Sequence, residues 1–140
     1  MYLPEPVVHE TLRCISKHSV GGSSLAMEYV SSGAIGLVQK YPIGPIKCAV
    51  EWGEPWIFGV PDDRDREFFA ETGLELVHRI SLNSLDTVKK YAFRRDGTFY
   101  GAHLMEAFKA RGEQMMSQMP AEDRALAARW GYFIAELKVQ

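Results

Sequence analysis

Only three stretches of this 140-residue chain read as β-strand, and that number limits the folds open to it. Residues 24–30 (SLAMEYV) form an apolar run closed by Ser31-Ser32-Gly33, whose length and bounding turn residues suit a buried strand. Residues 74–80 (LELVHRI) alternate apolar and polar, the pattern of a half-buried strand. Residues 132–139 (YFIAELKV) form a third strand, alternating in its second half. The order helix, strand, helix, strand, helices, strand defines an α/β chain, a single domain over residues 1–140.

The intervening segments carry helix signals of uneven quality. Val7, Val8, Leu12 and Ile15 recur at helical spacing, with proline and Glu5 in the first turn and Lys17-His18 in the last. Gly21-Gly22 then stops a helix over residues 4–18. Residues 31–56 hold four glycines and three prolines, so regular structure there is expected to be short and broken: a helical turn or an edge strand at 38–41 or 46–52. Asp62-Asp63 reads as the cap of a short helix over 64–72 ended by Gly73. A further short helix is expected from Ser84 to Tyr91, a turn at Arg95–Thr98, and a helical pattern from His103 to Trp130 broken at Gly112 and Pro120.

Composition narrows the class without naming an activity. The chain is 46% hydrophobic with a formal charge of −2, which argues against disorder and against bulk binding to nucleic acid or anionic membrane. A domain of this size buries roughly two-thirds of its unfolded surface, enough for a core. No run approaches the ~20 apolar residues that span a bilayer, and no secretory signal is visible at the start, MYLPEPVVHE. Cys14 and Cys48 are too far apart for a CxxC site and are expected as free thiols in a cytoplasmic protein.

Individual constellations stay ambiguous. His9-Glu10-Thr11-Leu12-Arg13 starts like a zinc-protease helix, but Arg13 stands where the second histidine would be, so His9 reads as a surface residue and no metal site is expected. Gly21-Gly22-Ser23-Ser24 precedes a strand, whereas a phosphate loop follows one, so it reads as a plain turn. Glu28-Tyr29 stands at the carboxyl end of an apolar strand, a position that lines the ligand crevice in open α/β sheets or is merely solvated. Trp52, Trp56 and Phe58 in a Pro/Gly-rich loop line an apolar pocket or pin the loop to the core. Met105, Met115, Met116 and Met119 fill a core or face a partner. Arg94-Arg95 beside Tyr91 and Phe93 is too small a basic patch for nucleic acid.

Taken together, the succession Met1-Tyr2-Leu3-Pro4-Glu5, a helix ending Ile15-Ser16-Lys17, and Gly22-Ser23-Ser24-Leu25-Ala26-Met27-Glu28-Tyr29-Val30 resembles the leucine carboxyl methyltransferase family of S-adenosylmethionine-dependent methyltransferases. There a strand ending in a pattern like E-G-L-x-M-Y-L leads through L-P-x-E into a helix and returns as G-S-x-L-x-x-D/E-Y. Gly53-Glu54-Pro55-Trp56-Ile57-Phe58-Gly59 and Phe68-Phe69-Ala70-Glu71-Thr72-Gly73-Leu74 also look like family segments, and residues 132–139 fit the final strand. Residues 82–130 match weakly.

The resemblance implies a partial class I methyltransferase (Rossmann-like) fold. Its three-stranded mixed sheet would correspond to family strands 5-7-6, with flanking helices. Tyr2, Leu3, Glu28 and Tyr29 then match segments bordering the substrate cleft, and Trp56 and Phe58 complete the candidate pocket; no catalytic residue is assigned. The family's glycine-bearing first loop and ribose-binding acid have no counterpart from Met1 onward. S-adenosylmethionine is therefore the implied cofactor, but no residue here is expected to hold it. The expected partners are a second copy of the chain or a complementing amino-terminal methyltransferase half, with a small molecule as possible substrate. The expected function is methyl transfer to an oxygen nucleophile by a truncated or split enzyme, or non-catalytic binding by a homo-oligomeric module of that descent.

Overall fold

The computed structural model describes residues 2–41, 51–81, 93, 96–98, 110, 113–114, 116–127 and 131–140. Helix α1 (Glu5–His18) follows Pro4, whose φ of −67° suits helix entry, and carries Glu5 and Lys17-His18 at the ends that favour their charges. Its apolar stripe buries Leu12 and lays Val8 on the core. Gly22, at φ +84°, turns the chain into strand β1 (Ser24–Val30). Helix α2 (Ser32–Lys40), helix α3 (Asp65–Ala70), strand β2 (Leu74–Ser81), helix α4 (Ala121–Ala127) and strand β3 (Tyr132–Val139) complete the described elements.

The strands form one sheet in the order β1-β3-β2, with β3 antiparallel to both neighbours. It is thus an antiparallel sheet and not the mixed one expected. A central strand set against two strands that run the same way pairs antiparallel with each. Alternation sorts the faces. Leu25, Met27 and Tyr29 of β1, Phe133, Ala135, Leu137 and Val139 of β3, and Leu74 and Leu76 of β2 point to one side, where they meet Leu12, Phe68 and Phe69. Phe69, Leu74 and Leu137 are fully enclosed, each contributing about 1.5–3 kcal/mol of apolar burial. β3 alternates along its whole length, not in its second half alone.

Between Leu76 and His78 a bulge shifts the β2–β3 register, so that His78 pairs with Glu136 and Arg79 with Ala135. Arg79 thereby falls on the core face and Ile80 on the other.

Further expectations need correction. Residues 32–40 form a nine-residue helix where broken structure was expected. Its two glycines are tolerated because Ile35 and Leu37 are buried and the Asp62 carboxylate, not a local residue, accepts from Ser32 Oγ (3.0 Å) and the Gly33 N–H (2.8 Å). Asp62 therefore does not cap α3, which has no side-chain cap, and Asp63 sits at φ +57° in the connecting turn. His9 is not a surface residue: its ring packs edge-on against Phe68, centroids 4.5 Å apart, because it shares a helix face with Leu12. The expected helix at 84–91, residues 46–50, Met105, Met115 and Arg94-Arg95 lie outside the described residues. Met119 is buried, and the thiol of Cys14 is free. Asp96 accepts from the Thr98 N–H (2.9 Å), forming the expected turn. Among the described residues no helix is long and apolar enough to cross a membrane.

Candidate functional site

β1 is an edge strand, and its edge opens onto a groove. Val139 N–H donates to the Ser23 carbonyl and Ser31 N–H to that of Gly131, so the odd-numbered residues of β1 turn their backbone groups toward β3. The N–H and C=O groups of Ser24, Ala26 and Glu28 face the other way, and among the described residues no strand pairs with them. Among the described residues, this edge is closed at its carboxyl end alone. There Val60 N–H donates to the Val30 carbonyl and Ser32 N–H to the Val60 carbonyl, both at 2.8 Å, in a single parallel bridge at Ser31. That approach requires Gly59, where a Cβ would stand 2.8 Å from the Ser31 carbonyl carbon and oxygen and the Ser32 nitrogen.

Alongside the edge runs a groove of about 280 Å³. Val8, Leu12 and Ile15 of α1 line it together with Leu25, Met27 and Tyr29 of β1, and Leu3, Phe58, Val60 and Phe68 complete the apolar lining. Leu3 remains half exposed. The lining is chiefly apolar, with Thr11 and Glu28 among it.

Behind the groove lies a charged cluster. Tyr29 Oη donates to Asp65 Oδ2 at 2.7 Å, and Arg79 Nη1 donates to the same oxygen at 2.7 Å. The Arg79 guanidinium also lies over the Phe133 ring, 4.9 Å from its centroid. Burial pushes the Asp65 carboxyl up, but the Tyr29 and Arg79 hydrogen bonds outweigh it and hold the group below its ordinary value. Burial, reinforced by Asp65, pushes the Tyr29 phenol well above its ordinary value. Ser31 and Asp62 join these residues around a polar recess of about 40 Å³.

On the opposite face of the sheet the indole Nε1–H of Trp56 donates to Tyr2 Oη at 3.3 Å, and Gln39 Nε2 donates to the Trp56 carbonyl at 3.2 Å. The Trp56 and Tyr132 rings stand 6.3 Å apart at 64°. Burial raises the Tyr132 phenol, helped by Glu28 and Tyr2.

The six residues singled out from sequence thus divide into two groups. Leu3, Tyr29 and Phe58 line the groove, as does the backbone of Glu28. Tyr2 and Trp56 bond to each other at the aromatic corner, toward which the exposed Glu28 side chain belongs by strand alternation. The hydroxyl of Tyr29 is turned away from the groove and committed to Asp65. The α1 wall, Asp65, Arg79 and Tyr132 were not anticipated. For the α1 wall the helical periodicity was the available signal; for Arg79, set inward by a bulge, there was none. Among the described residues no group of three or more His, Cys, Asp or Glu side chains could hold a metal ion. The chain matches no protein-family model, no curated protein and no solved structure.

Proposed function

We propose that this chain is the substrate-side portion of a methyltransferase related to the leucine carboxyl methyltransferases, completed by a strand that pairs along β1. The observation that carries this reading is the strand order β1-β3-β2 with its central strand antiparallel. It is the order implied for the last three strands of that fold, in which a further parallel strand lies beside β1. The groove along the free edge supports the same reading, since residues matched to the cleft segments line it.

The described residues do not fit S-adenosylmethionine unaided. The strand-to-helix turn between β1 and α2 has its helix start filled by Asp62, and the Gly59 backbone is packed against it. No step of methyl transfer is therefore assigned to these side chains, and in this reading the cofactor site comes from the completing half. What the chain's own residues supply is an apolar wall against which a substrate can be positioned. Calorimetric titration of S-adenosylmethionine tests the proposal. The chain alone should give no submicromolar binding, while an equimolar mixture with the first four strands of a leucine carboxyl methyltransferase should gain it. Binding by neither sample overturns the methyltransferase reading; submicromolar binding by the chain alone overturns the division of labour.

A second reading, a non-catalytic homo-oligomeric binding module, is favoured by one observation: among the described residues no strand pairs with the outer edge of β1, and the groove beside it carries the exposed Leu3. In that case β1 of a second copy covers the edge.

A further inference from the structure

A recess of about 350 Å³ is lined from the turn before α3, from the first turn of that helix and from β2. Three arginines and three acids meet there: Arg64, Arg66 and Arg79 with Asp63, Asp65 and Glu67. Two of the acids are matched within the recess. Asp65 Oδ2 accepts from Arg79 Nη1 and Glu67 Oε2 accepts from Arg64 Nε, each at 2.7 Å. The other two charges are not matched to each other: among the described residues neither Arg66 nor Asp63 forms an ion pair. Arg66 is anchored by a neutral group instead, its Nη1–H donating to the Leu76 carbonyl at 3.1 Å. That bond steadies the guanidinium, cancels none of its charge and leaves most of its donors to a ligand. The β2 bulge begins at Leu76, so the irregularity that turns Arg79 inward also adjoins the carbonyl that holds Arg66. Asp63 is held at φ +57°, alone in that region among the described non-glycine residues, and its side chain is exposed like that of Arg66.

We propose that this recess binds a free α-amino acid as its zwitterion, the carboxylate on Arg66 and the ammonium on Asp63. A guanidinium meets a carboxylate through paired N–H donors, which adds orientation to the charge attraction. The lining is balanced between the two signs, so a ligand of either net charge would leave one sign in excess. A zwitterion instead supplies one partner to each unmatched group. Asp63 and Arg66 are three residues apart in the chain and line the same recess, so the ligand has to carry its two charges close together. An α-amino acid does so across a single carbon, whereas a peptide bears them at opposite ends. The assignment does not depend on the methyltransferase reading, because it uses neither the groove nor the β1 edge.

The test titrates L-glutamine, whose side chain is uncharged, into the isotope-labelled 140-residue chain and follows the amide shifts of residues 63–67. N-acetylglutamine, which lacks the ammonium, and glutaminamide, which lacks the carboxylate, are the comparison ligands. Glutamine should saturate these shifts at millimolar concentration and bind about tenfold more tightly than either analogue, the worth of one charge-assisted hydrogen bond. D63N should bring glutamine down to the affinity of N-acetylglutamine, and R66Q to that of glutaminamide. Both variants are chosen to keep the fold: asparagine tolerates positive φ as aspartate does, and a glutamine amide can still donate to the Leu76 carbonyl. Equal affinity for the three ligands, or no saturation by glutamine at tens of millimolar, overturns the proposal. So does binding that R66Q abolishes and D63N leaves unaltered, which would define a simple anion site. The analogues decide the matter on the parent chain even if a variant fails to fold.

Discussion

Tyr29 ends a core-facing strand with a hydroxyl inside the protein, and Asp65 makes that burial tolerable. A buried phenol without a partner would forfeit its hydrogen bond to water, and a buried carboxylate without donors would fare worse. Each supplies what the other lacks, and Arg79 brings the countercharge. Arg79 is nearly half exposed, so its ion pair is partly screened and the hydrogen bonds carry most of the effect. D65N should therefore destabilise the protein by about 1–3 kcal/mol at neutral pH, read from the urea midpoint. The pH dependence has two limbs. Asp65 has a depressed value in the folded state, so its stabilisation is complete above its unfolded value of about 3.9 and is lost as pH falls through the folded one. Tyr29 has a raised value, so its contribution is complete below about 10 and is lost as pH rises beyond that. D65N should flatten the acid limb and Y29F the alkaline one. Unchanged limbs in these variants would show that the cluster does not govern either transition.

Elements in this chain start and stop for reasons of differing range, and that range decided what could be read from sequence. α1, β2 and β3 declare themselves through local periodicity, β1 through an apolar run between turn residues, and the turn at Gly22 through a residue that tolerates positive φ. α2 does not, because its N-terminal donors are satisfied by Asp62, some thirty residues later. Asp62 looked like the cap of the helix that follows it; tertiary structure directs its carboxylate back to the helix before it. D62A should thus melt the start of α2 and cost about 0.5–2 kcal/mol, with amide exchange accelerating at 33–36 and not at the start of α3. Faster exchange confined to α3 would refute the assignment. G59A should also loosen this region, since the added methyl meets the Ser31 and Ser32 backbone, which cannot swing aside as a side chain can. The candidate site was legible to the same degree as the elements that build it. Leu3, Glu28, Tyr29 and Phe58 line one groove while Tyr2 and Trp56 stand apart from it, and Arg79 escaped notice. Strict alternation along β2 puts His78 and Ile80 on the face of Leu74 and Leu76. The bulge reverses this, and nothing in LELVHRI marks where it falls.

At the scale of the whole molecule, the outer edge of β1, which no strand among the described residues covers, sets what the fold can become. Three strands over one packed face can be viable alone, but an edge left open among the described residues, beside an apolar groove, invites another strand. The two proposals for the chain agree on this point and differ only in whose strand arrives. The position of Ala26 allows a clean test, because its N–H faces the open edge and takes no part in the ladder with β3. Proline there deletes a donor that only an incoming strand would use, and proline is tolerated on edge strands in that setting. A26P should retain the circular dichroism of the parent chain. If a second copy covers the edge, the parent should show concentration-dependent association by analytical ultracentrifugation at micromolar concentration, and A26P should sediment as a monomer. If a methyltransferase half covers it, the parent should be monomeric alone and bind that half, and A26P should lose the interaction. Association equally strong in A26P would move the contact away from the β1 edge and rule out strand pairing there.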